Sequence, residues 1–60
     1  MTQDTAHDVI IYNKTSGEPV TSFKYVTELQ SKILAKHLFE KGYKVTIRNN
    51  RTGEVLYQLE

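Results

Sequence analysis

Residues 27–42 read TELQSKILAKHLFEKG, and this stretch decides the fold because it carries helix signals at both ends. Thr27, followed three residues later by Gln30, forms a capping box in which each side chain satisfies an amide that the first turn leaves unpaired. Gly42 supplies a left-handed stop, and Lys41 sets positive charge at the negative end of the dipole. About four turns are expected between them. Glu28, Lys32, Lys36 and Glu40, spaced by four, form a charged stripe that should face water. Opposite it, Leu34 and Leu38, flanked by Ile33 and His37 and by Ser31 and Ala35, should cover a sheet. Leu29 and Phe39 fall on the shoulders of the stripe. They are expected either to be covered by the ends of the sheet or the N-terminal segment, or to touch another chain.

The segments on either side of the helix resemble each other. VIIYN, KTSGE and PVTSFKY precede it; KVTIRN, NRTGE and VLYQLE follow. At an offset of 36 residues Val9 matches Val45, Ile11 matches Ile47, Asn13 matches Asn49, Gly17 matches Gly53, Glu18 matches Glu54, and Phe23 aligns with Leu59. Two related hairpins around one helix predict an α+β fold of order ββαββ, a four-stranded sheet with the helix on one face. Residues 15–17 and 51–53 suit three-residue loops ending in a left-handed glycine. That loop sets Asn50 opposite Glu54, Arg48 opposite Leu56, Ile47 opposite Tyr57, Val45 opposite Leu59, Ile11 opposite Thr21 and Val9 opposite Phe23. Pro19 lacks a ladder donor and marks the second strand as an edge, which favours the strand order 2-1-3-4; the order 1-2-3-4 is the alternative.

The face turned away from the helix should be polar, yet it carries Ile10, Tyr12, Val20 and Leu56 among Lys24, Lys44 and Arg48. An apolar centre with a cationic rim has the composition of a protein interface. The partner is expected to be a larger protein or a second copy of the chain, with Leu29 and Phe39 as a second contact. The alternative is a small RNA- or DNA-binding protein that stacks bases on Tyr12 and meets phosphates through Lys24, Lys44 and Arg48. Lys14 and Arg51 extend that surface if both hairpin loops lie on one side.

Composition narrows the classes further. Sixty residues allow one small domain, expected over 8–60 behind a flexible arm of residues 1–7. A chain this short buries only about 60% of its unfolded surface, so stability must come from packing or from a second copy. There is no cysteine, which removes disulfides and thiolate metal sites and points to a reducing, cytoplasmic setting. A net charge of +1 gives little long-range attraction for nucleic acid. No apolar run is long enough for a membrane span, and the start MTQDTAHD is polar where a signal peptide would be basic and then apolar.

Catalytic signatures are not found. His7 and His37 have no nucleophile at motif spacing, and neither Ser16 nor Ser22 sits in a G-x-S-x-G elbow. Asp4, His7 and Asp8 would make a poor metal site, since they lie in or next to the arm. The sequons Asn13-Lys14-Thr15 and Asn50-Arg51-Thr52 are explained by turns. No cofactor or metal is expected. The sequence thus reads as a non-enzymatic protein-binding module, a small regulator or inhibitor that docks on a larger protein.

Overall fold

The computed structural model describes residues 5–60. The chain runs β1 (His7–Asn13), β2 (Pro19–Val26), α1 (Glu28–Glu40), β3 (Tyr43–Asn49) and β4 (Val55–Leu59). The sheet has the order β2-β1-β3-β4, with every neighbouring pair antiparallel. This is the expected ββαββ arrangement with β2 at one edge. α1 starts at the expected capping box: Gln30 N donates to Thr27 Oγ1 at 3.1 Å, and Thr27 N donates to Gln30 Oε1 at 3.2 Å. It stops at Gly42, whose φ of +97° is open to glycine at little cost.

The two hairpin turns are built from equivalent bonds. Asn13 Oδ1 accepts from Thr15 N and Ser16 N at 2.8 and 3.1 Å; Asn49 Oδ1 accepts from Arg51 N and Thr52 N at 2.8 and 3.2 Å. Gly17 N donates to Asn13 O, and Gly53 N to Asn49 O, both at 2.8 Å, with φ of +75° and +78°. These bonds correct the expected turn. Asn13 N bonds Glu18 O at 2.8 Å and Asn49 N bonds Glu54 O at 2.7 Å, so the loops hold four residues, 14–17 and 50–53.

A bulge then follows in each hairpin. Tyr12 pairs with Pro19 but Ile11 with Thr21, which leaves Val20 over; Arg48 pairs with Val55 but Ile47 with Tyr57, which leaves Leu56 over. The expected Arg48–Leu56 and Asn50–Glu54 pairs are therefore replaced. Each first strand gives one residue to the loop and each second strand gives one to the bulge. The two losses cancel, and the pairs Val9–Phe23, Ile11–Thr21, Val45–Leu59 and Ile47–Tyr57 stand as expected.

The core is thin. Val9, Ile11, Val45 and Ile47 of the central strands pack against Ala35, with Val26, Leu34, Leu38, Tyr43 and Leu59 around them. The helix is turned from the expected face: Ser31 and Ala35 are the buried helical residues, Leu34 and Leu38 are half-buried, and Ile33 is 55% exposed. Small residues let the helix approach the sheet closely, and the buried Ser31 hydroxyl is satisfied by donating to Glu28 O at 2.6 Å. The turn also brings the charged stripe toward β4. Lys32 pairs with Glu28 at 3.3 Å, and its Nζ lies 5.7 Å from the centre of the Tyr57 ring. α1 thus covers β1 and β3 and leaves both edge strands largely exposed.

Of the expected arm, residues 1–4 lie outside the described residues. Ala6 is buried and His7 opens β1. Asn50 holds this segment, with its backbone N–H on Ala6 O at 2.8 Å and its Nδ2 on Thr5 O at 3.0 Å.

Candidate interaction surface

The register orders the outer face into rows across the four strands. Ser22, Ile10, Thr46 and Gln58 form the middle row. On one side of it Tyr12 lies between Pro19 and Lys44; on the other, Asp8 lies opposite Arg48. A shallow groove over β1 and β2 is lined by Asp8, Ile10, Val20, Lys24 and Arg48 together with Pro19, Thr21 and Ser22. Ile10 and Val20 share this groove, and Tyr12 follows Ile10 on the same face. Leu56 does not join them. It sits at the β4 bulge beside Arg48, with Thr46 and Arg48 of β3 between it and Ile10. The four-residue apolar cluster expected from alternation is in fact a trio of Ile10, Tyr12 and Val20, because the bulges and the strand order separate Leu56 from it.

The floor of this face contains a buried carboxylate. Asp8 is only 4% exposed, and a charge in that position needs partners. Its Oδ1 accepts from Tyr25 N at 3.2 Å and from Asn50 Nδ2 at 3.1 Å, while Oδ2 lies 3.7 Å from the Arg48 guanidinium. One side chain therefore ties β1 to β2, β3 and the second loop. The bond to Tyr25 goes with a second irregularity in β2, where the register shifts again between His7–Val26 and Val9–Phe23. Tyr25 has φ of +59°, a left-handed conformation that is uncommon for an aromatic residue, and the residue is 71% exposed. Strand alternation gives no sign of this residue. Asp8 was open to inference, since an acid on the outer face of β1 falls opposite Arg48 once the strand order is fixed.

The cations expected to serve nucleic acid are only partly gathered, with Lys24 and Arg48 on one groove and the others away from it. β1 and β3 are antiparallel, so Lys14 in the first loop and Arg51 in the second lie at opposite ends of the sheet. Arg48 is committed to Asp8, which offsets its charge, and Lys24 and Lys44 stand in different rows on different strands. Tyr12 with its neighbour Lys44 is the only pair of the proposed six that the register sets side by side among the described residues.

Leu29 and Phe39 remain 68% and 38% exposed, and Phe23, Val55 and Tyr57 on the edge strands are also open. No group of three or more His, Cys, Asp or Glu among the described residues is placed to hold a metal; Asp4 lies outside them. No helix among them is long and apolar enough to cross a membrane. Comparison with protein-family models, with curated proteins and with solved structures finds no match to this chain.

Proposed function

We propose that this chain is a non-enzymatic cytoplasmic binding module, a small regulator or inhibitor that docks on a larger protein through the outer face of its sheet. The observation that carries the reading is the trio Ile10, Tyr12 and Val20 on the face that the helix leaves open, beside a groove edged by Lys24 and Arg48. Val20 is 54% exposed with no structural duty to explain an apolar side chain there. An apolar centre with a charged rim suits a protein partner better than a polyanion, whose binding draws on cations gathered on one surface.

The test compares the immobilised natural chain with Tyr12→Glu, after circular dichroism has shown that the variant folds. Proteins retained from the source cells by the natural chain and lost with the variant support the reading. An identical retained set, or retention of nucleic acid that moderate salt releases, contradicts it.

A further inference from the structure

The two edge strands are equivalent positions of the repeat, yet only one is closed to further pairing. β2 carries Pro19, the bulge at Val20, an exposed Lys24 and the left-handed residue Tyr25, all of which obstruct the approach of another strand. β4 has its bulge at Leu56 and then runs without irregularity through Tyr57, Gln58 and Leu59, with neither proline nor lysine. The flank of α1 beside it is apolar in part. Lys32 lies over Tyr57, and Phe39 is two helical turns further along the same flank, only about 20° around the helix from Lys32 at about 100° per residue.

The geometry points to a second copy of this chain as the occupant of the β4 edge, paired antiparallel about a twofold axis at Gln58 to give a continuous eight-stranded sheet. This axis is the one that pairs the bulge-free residues Tyr57, Gln58 and Leu59 wholly among themselves, with Gln58 opposite Gln58 and each Tyr57 opposite a Leu59. Both helices then lie on one face, about 20 Å apart at the usual strand spacing. Tyr57 and Leu59 form the floor of the trough between them, and the helix flanks that carry Lys32 and Phe39 form its walls.

The edge is self-complementary: about this axis the three bulge-free residues pair their edge backbone groups with one another, and Tyr57, 52% exposed, gains cover from the partner's Leu59. The outer face stays free in this arrangement, so the inference stands independently of the partner proposed above.

Because the chain has no cysteine, single substitutions give a clean test. Residues directly opposite on antiparallel strands lie within disulfide reach, with Cα atoms about 4.5–5.5 Å apart. Gln58→Cys should form a covalent dimer under mild oxidation. Ser22→Cys, in the same row and at the equivalent repeat position on the other edge, should not. Gln58→Lys, which sets like charges face to face at the axis, should raise the dimer dissociation constant at least tenfold in sedimentation equilibrium while leaving the circular dichroism spectrum unchanged. Leu29→Lys, on the helix face turned away from the sheet, should leave the dimer unchanged. A natural chain that stays monomeric up to millimolar concentration overturns the inference, as does cross-linking through Ser22→Cys in preference to Gln58→Cys.

Discussion

The first and second hairpins share a frame and differ in what has been added to it. Both turns hang on an asparagine carbonyl oxygen, both end in a glycine near φ +76°, and both place one bulged apolar residue three positions after that glycine. Identical local chemistry produces identical local structure even though the strands continue differently. The differences lie where a residue meets the rest of the molecule. Asp8 is buried and holds three elements, whereas its equivalent Lys44 is half-exposed and ties no elements together among the described residues; Pro19 guards one edge, whereas its equivalent Val55 does not guard the other.

The comparison can be broken most severely in the shared core. Ile11→Ala and Ile47→Ala remove equivalent, fully buried side chains, and each should cost about 3 kcal/mol in urea unfolding, a large part of the stability of so small a domain. Similar losses confirm that the two copies contribute equally; a wide gap would show that one hairpin carries the fold.

The next effect separates the copies. Asp8→Ala leaves the Tyr25 amide without its acceptor, removes one of the two bonds of Asn50 Nδ2 and unpairs Arg48, and should cost about 2 kcal/mol, whereas Lys44→Ala should stay within about 0.5 kcal/mol. Equal losses at the two sites would contradict the assignment of Asp8 as the tie between elements. Gly17→Ala and Gly53→Ala meet no neighbouring atom within 4 Å, so each should lose only the left-handed backbone preference, about 1 kcal/mol. Tyr25→Gly has the smallest effect, a gain of roughly 0.5 kcal/mol, since relief at φ +59° is partly offset by the greater freedom of the unfolded chain.

Much of this frame was legible before the structure. The capping box, the glycine stop, the repeat and the edge-marking Pro19 gave the elements and the strand order, because each is a local signal with one physical meaning. The loop length was misread, since a three-residue loop and a four-residue loop followed by a bulge give the same pairing beyond the turn. The helix face was read with the right residues but the wrong centre, for a different reason. Leucine count favoured Leu34 and Leu38, but close approach to a flat sheet favours Ser31 and Ala35, and side-chain size decided the rotation. Of the candidate surface, alternation located Ile10, Tyr12 and Val20 and wrongly attached Leu56, whose separation follows from tertiary register. Tyr25 was missed, as nothing in a strand pattern signals a residue whose backbone is held by a distant carboxylate.

The central claim is that equivalent hairpins end in unequal edges, one guarded and one open to a second copy. Amide hydrogen exchange, read strand by strand at micromolar and near-millimolar chain concentration, tests it directly. Protection within Val55–Leu59 should rise with concentration while that of Pro19–Val26 stays constant. Protection that is independent of concentration in both strands, or that rises in β2 instead, would contradict the account.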